Sequence, residues 1–325
     1  MSSCQRITAP LWRTTLFTAL LLAFAPSCVN AQLFDARDPA SSGYTLTFTD
    51  DFKTIDSIDV NATGNAGYKW YTKQFFGGKP TSAAALSVHK GVLTIDPPDN
   101  GNSNGSIETA CPAKNAQGWI GSVFSGGAYF EASIAFDPAL IDTKAGWPSF
   151  WSMAVEHMAT KGADQWEGQD PGYAHFIEDD FFEFDTANWA GKNSYGGAVH
   201  DWFGKWTREK GYSGNVQNKN FVIHVPDGTD FNKFHKYGNL WVPASPANDW
   251  RGFIQYYFDG LPTSDIVTWD GKTLPGTPPP SEGSLFAIAD KANLVVILGC
   301  GAKQAMRVKY VHVWQHPADS AAKPS

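Results

Sequence analysis

An all-β domain, either a sandwich or a barrel, is the fold class this chain predicts, and three observations carry it. Short segments alternate apolar and polar residues at 44–48, 92–95, 128–136, 253–258, 294–298 and 308–314. A period of two turns one face of each segment to a core and leaves the other to solvent. Turn-forming pairs such as Asp259-Gly260 and Asp270-Gly271 punctuate them. Few stretches show the 3.6-residue period of an amphipathic helix. No internal repeat and no linker-like stretch divides the chain, so one large β domain over residues 32–315 is expected.

Residues 1–31 are set apart as a secretory signal peptide. Arg6 and Arg13 precede an apolar run over 16–25, and Val29-Asn30-Ala31 supplies small residues where signal peptidase cuts. The expected destination is extracellular, or the cell wall. No later run reaches about 18 apolar residues, so no membrane partner is expected. Cleavage after Ala31 would remove Cys4 and Cys28, leaving Cys111 and Cys300 to pair as a disulfide in an oxidising compartment. The triplets Asn61-Ala62-Thr63 and Asn104-Gly105-Ser106 are N-glycosylation acceptors by pattern. At the other end, residues 316–325 read as a disordered tail, and the Pro-rich stretch 274–283 as a surface loop.

Charge narrows the partners. The formal net charge is −7, and loss of a segment with two basic and no acidic residues takes it to −9. An acidic surface argues against nucleic acid and other anionic polymers and is compatible with a neutral polysaccharide. There is no Cys/His cluster with zinc spacing and no phosphate-cradling Gly loop, so no cofactor is expected. A monomer is expected, and a structural calcium is the one ion that the acidic residues leave open.

The stretch FIEDDFFEFD, residues 176–185, holds five acidic side chains and four Phe in ten positions. A strand that is half core rarely carries so many carboxylates, because burying charge is costly. On a regular strand Glu178 and Asp180 share one face, while Glu183 and Asp185 point to the other. One extra residue near Phe181-Phe182, a β-bulge, brings all four to the same side and leaves Phe184 on the core side. Asp179 then faces the core, where it needs hydrogen-bond partners unless it lies near a strand end. Two glutamates with an aspartate between them suit glycosidic bond cleavage, in which one carboxylate attacks and another protonates the leaving group. The alternative is a solvated strand face.

Aromatic residues add to this. Trp147 lies just ahead of a strand-like SFW, and Trp202 in VHDWFGKW follows the acidic stretch with His200 two residues before it. Indole faces stack on sugar rings, so Trp147, Trp202 and His200 are candidate substrate contacts, with a structural histidine the equal alternative at 200. Trp241 and Trp314 read as core. The Gly-rich segment 158–173, containing Trp166, is a long connection that either walls one end of a cleft or is a surface insertion.

The motif Glu178-Asp179-Asp180-Phe181-Phe182-Glu183 resembles the bulged E-x-D-x-x-E signature of glycoside hydrolase family 16, and the chain is similar to secreted fungal members of that family. GGAYFEASIAF (126–136), GWPSFW (146–151), FHKYGNLWVP (234–243), IQYYFDG (254–260) and MRVKYVHVW (306–314) resemble its landmarks in order. The resemblance implies a jelly-roll β-sandwich of the concanavalin A type with a concave sugar-binding cleft. It implies retaining hydrolysis of a β-linked polysaccharide, β-1,3- or β-1,3/1,4-glucan first, with Glu178 as nucleophile, Glu183 as acid/base and Asp180 assisting. Transglycosylation of wall glucan and a catalytically silent, lectin-like sandwich are the other readings. Two positions depart from the pattern: Ile177 stands where a Gly is common, and Asp179 where an apolar residue is usual. A shifted frame, Glu183-Phe184-Asp185-Thr186-Ala187-Asn188, restores the apolar residue but puts Asn where the acid belongs.

Overall fold

The computed structural model describes residues 34–74, 79–97, 105–113, 119–141, 146–156, 173–185, 193–207, 211–272, 285–301 and 305–317. The expected signal peptide at 1–31, Asn104, Trp166, the Pro-rich stretch 274–283, most of the expected tail and the end of the shifted frame (186–188) lie outside them. In chain order the strands begin with β1 (Thr45–Asp50), β2 (Ile58–Asp59), β3 (Trp70–Tyr71), β4 (Leu86–His89), β5 (Val92–Ile95) and β6 (Ile107–Glu108). Next come β7 (Ala110–Pro112), β8 (Trp119–Gly121), β9 (Phe124–Ser125), β10 (Ala128–Ala135), β11 (Gly146–Ala154), β12 (Tyr173–Glu183) and β13 (Ser194–Thr207). The last six are β14 (Gly211–His224), β15 (His235–Val242), β16 (Arg251–Phe258), β17 (Leu261–Asp270), β18 (Asn293–Gly301) and β19 (Met306–Gln315).

These strands form a jelly-roll sandwich, the arrangement that lets two half-apolar sheets cover each other. The outer sheet runs β17-β16-β15-β10-β19-β5-β4, with β1 also on β19. The inner sheet runs β14-β13-β12-β11-β18-β6-β3-β2, with β9 also on β18. Strands far apart in sequence, such as β10 with β19 and β11 with β18, lie side by side and antiparallel.

Aromatic rings from alternate positions fill the space between the sheets. Phe130 of β10 stacks on Phe181 of β12 at 4.9 Å, Phe136 meets Phe184 at 4.5 Å, and Phe182 meets Tyr237 of β15 at 4.0 Å. Each such side chain, removed from water, contributes about 1.5–3 kcal/mol, so these contacts pin β12 to the outer sheet. Trp241 belongs to this core, as expected. Trp314 does not: it is half-buried on the far side of the outer sheet, packed against Tyr129 at 5.5 Å.

The expected disulfide is not formed. Cys111 is a buried free thiol whose Sγ lies 3.6 Å from the Pro112 carbonyl. Strand register explains why. Ile107 pairs with Leu298 and Glu108 with Ile297, and the Thr109 N–H donates to the Val296 carbonyl. Because the pair is antiparallel, Cys111 lies beyond one end of this contact and Cys300 beyond the other. Six residues of offset at about 3.3 Å each is roughly 20 Å, far beyond disulfide reach. Asn61 is exposed in a turn after β2, a position open to modification.

Candidate active site

The site is built on β12 and its two neighbours. On one side Glu178 pairs with Met153 of β11 and Asp180 with Trp151; Glu183 then pairs with Ser149, so β12 has one residue more than its partner. On the other side Glu178 pairs with His200 of β13, Asp180 with Ala198 and Glu183 with Gly196, with the same extra residue between Asp180 and Glu183. This is the bulge that charge segregation requires, at Phe181-Phe182, inside the first of the two motif frames. Phe181, Phe182 and Phe184 are buried in the core. Glu178, Asp180 and Glu183 share the opposite face, on which Glu178 and Glu183 are half-buried.

Each carboxylate has its own donor from a neighbouring strand. The Trp202 indole N–H donates to Glu178 Oε2 at 2.7 Å, and the Trp147 N–H to Glu183 Oε1 at 2.9 Å. His200 Nε2 lies 2.9 Å from Asp180 Oδ2, and its Nδ1 lies 2.8 Å from the Asn218 amide oxygen on β14. An amide oxygen only accepts, so Nδ1 carries a hydrogen. One proton therefore lies between Nε2 and Asp180. The three residues predicted as substrate contacts thus stand at the site, with their polar atoms already committed to the acids. The Trp202 ring also lies parallel to Phe176 at 6.2 Å.

Electrostatics separate the groups. Burial pushes Glu183 up to about 8, reinforced by the charge of Asp180 and opposed by the Trp147 donor. Glu178 is pushed by burial only to about 6, because His200 and the Trp202 donor favour its charged form. Asp180 rises to about 6 through burial and the charge of Glu178. Burial alone would lower His200, but its bond to Asp180 and the charge of both acids carry it to about 9. At neutral pH the arrangement is an ionised Glu178, an Asp180–imidazolium pair and a protonated Glu183. Two acids on one strand face with divergent proton affinities are the requirement for paired nucleophilic and acid work.

Glu178, Asp180 and His200 bring ligand-type atoms within 4.8 Å of one another. Calcium takes six to eight oxygens, and an imidazole already bonded to one of two carboxylates does not offer that. A shared proton accounts for the geometry. Clefts of about 320 Å³ around Lys69 and about 440 Å³ around Arg251 are lined by other residues and include none of these acids.

Asp179 was expected to need partners, and has them. It is fully buried on the core side, where Asn239 Nδ2 of β15 and the Tyr256 hydroxyl of β16 each donate to its Oδ1 at 3.2 Å. Sequence reasoning missed Asn218. Strand β14 carries polar residues on both faces and gives no alternating signal, so a partner for His200 was not visible there.

No protein-family model and no curated protein sequence matches the chain. Among solved structures it is similar to an endo-1,3-β-glucanase from Streptomyces sioyaensis, at 18% identity and a TM-score of 0.49, covering 84% of this chain and 96% of that one. It is also similar to LamAcat from Zobellia galactanivorans, at 13% identity and a TM-score of 0.43, covering 85% and 99%. A third is the exoplasmic/lumenal domain of VIP36 in a Ca2+/Man3GlcNAc-bound form, at 7% identity and a TM-score of 0.33, covering 73% and 86%.

Proposed function

We propose that this protein is an exported retaining glycoside hydrolase acting on a neutral β-linked polysaccharide, with β-1,3- or mixed-linkage glucan as the first candidate. One observation carries the reading: a bulge places Glu178, Asp180 and Glu183 on one face, where burial raises both glutamates, His200 holds Glu178 lower and the charge of Asp180 pushes Glu183 higher.

In the first step the Glu178 carboxylate attacks the anomeric carbon, and the bond to the leaving oxygen breaks as Glu183 gives that oxygen its proton. The product is a glycosyl ester on Glu178. Esterification removes a negative charge next to Glu183, which is now a base. Glu183 takes a proton from water as the water attacks the anomeric carbon, and the ester bond breaks to restore the Glu178 carboxylate. His200 holds Asp180 in its charged form, and Asp180 in turn keeps Glu183 protonated before the first step. A sugar hydroxyl in place of water gives transglycosylation with the same residues.

The test is product release by the purified mature protein from a panel of β-glucans and galactans, beside Glu178→Gln. Product from the wild type alone, with the anomeric configuration retained, is the expected result. Binding without product, equal in both proteins, would make this a glycan-binding sandwich instead.

A further inference from the structure

Between Glu178 and Asp180, on the other side of the strand, sits a fourth carboxyl that the mechanism does not use. Asp179 is fully buried among the inter-sheet aromatics. Its two side-chain partners both come from the opposite sheet: Asn239, which faces Tyr256 directly across β15 and β16, and Tyr256 itself. On its own sheet, Ser152 Oγ of β11 donates to the Asp179 carbonyl at 3.4 Å. Gly197 of β13 makes room for this arrangement, since a Cβ there would come within 2.9 Å of the Tyr256 ring. The site is built, and a hydrophobic side chain would fill the space with less risk.

The proton count is the informative part. Asp179 Oδ2 and Asn239 Oδ1 are both buried without a hydrogen-bond partner. If Asp179 were ionised, both atoms would be acceptors with nothing to accept, a costly arrangement in a dry core. A hydrogen on Asp179 Oδ2 turns one of them into a donor and lets acid and amide pair in both directions. The groups around Asp179 agree with this. Its core-side neighbours, Asn239 and Tyr256, are neutral, Asp180 on the far side of the strand repels a charge, and the nearby cation among the described residues, His200, is bonded to Asp180. No Lys or Arg among the described residues pairs with it.

We propose that Asp179 is a positioning residue, a neutral carboxylic acid that ties β12 to the outer sheet and so fixes where Glu178 and Asp180 point. It does this without adding negative charge to a site that already holds three acids. The activity arm of the proposal rests on the hydrolase reading; the protonation arm does not.

The experiment compares wild type, Asp179→Asn and Asp179→Leu. Infrared difference spectra of wild type against Asp179→Asn at neutral pH should show a carboxylic acid C=O band from Asp179, with or without turnover. A carboxylate band in its place overturns the proposal. In kinetics, Asp179→Leu should lower kcat by 10- to 100-fold with KM little changed, and the amide of Asp179→Asn should restore kcat to within a few-fold. The alkaline limb of the pH profile should stay in place in Asp179→Asn. If it moves to lower pH, a negative charge has been removed, and the proposal fails. A folded Asp179→Leu with wild-type kcat would make the residue structural only. Should Asp179→Leu not fold, the spectrum and the Asp179→Asn pH profile still decide.

Discussion

On the outer sheet, Glu131 is a buried carboxylate that accepts from the Tyr310 hydroxyl at 2.8 Å and the Tyr129 hydroxyl at 3.0 Å and is ion-paired with the Lys236 ammonium at 3.6 Å. On the inner sheet, three carboxylates on one strand share two neutral indoles and one imidazole. Both sets face away from the core. A carboxylate that only supports the fold has each oxygen matched by a donor or a cation. The set proposed to do chemistry has few cations, so burial and the charge of Asp180 hold a proton on Glu183.

The sharpest way to break this contrast is to neutralise one acid on each side. Glu178→Gln should lose on the order of 10³-fold or more in kcat while keeping glycan binding. Glu183→Gln should lose roughly 10²- to 10⁴-fold on polysaccharide but recover its first step on an aryl glycoside whose leaving group needs no proton. Equal loss on both substrates would reassign Glu183.

The pH profile separates the inner acids from each other. Activity should rise through about 6 as Glu178 ionises and fall through about 8 as Glu183 loses its proton. Stability should follow the same group. Glu183 holds, in the folded protein, a proton that the unfolded chain gives up near 4.5, so its contribution is complete at low pH and is lost as pH rises through about 8. Melting curves between pH 5 and 9 should therefore slope downward, and less so in Glu183→Gln.

Glu131→Gln should do the reverse of Glu178→Gln. Turnover should be unchanged, while stability to denaturant falls by about 1–3 kcal/mol as one of the two acceptor oxygens becomes an NH2 group facing a hydroxyl donor. The smallest effect belongs to Trp147→Phe, which removes one neutral donor from Glu183. A loss of roughly 2- to 10-fold in rate is expected, with the alkaline limb displaced upward because the Trp147 bond holds Glu183 down.

Much of this could be read before any coordinates. The alternation at 308–314 marks β19, which has one dry face and one partly wet face, while the alternation at 128–136 marks β10, which is buried along its whole length. The bulge followed from charge alone, since only an extra residue near Phe181-Phe182 puts every Phe of that stretch after Asp180 on one side and the active-site acids on the other. What stayed hidden depends on register between distant segments. Cys111 and Cys300 were matched by elimination, and strand offset keeps them apart. The partners of Asp179 lie 60 and 77 residues away, and no local pattern points to them. Trp147 and Trp202 stood out as aromatics, yet their indole N–H groups, not their ring faces, are what the acids use.

The bulge at Phe181-Phe182 also bears on how such a protein changes over generations. It is one extra residue in an even repeat, so deleting either Phe in frame would leave a regular strand on which Glu178, Asp180 and Glu183 still share one face and Phe184 still points to the core. What such a deletion removes is one core ring, either Phe181 from its stack on Phe130 or Phe182 from its contact with Tyr237. The layout of the acids tolerates loss of the extra residue, while the packing that pins β12 does not. A one-codon loss there would be read in stability before it was read in the site.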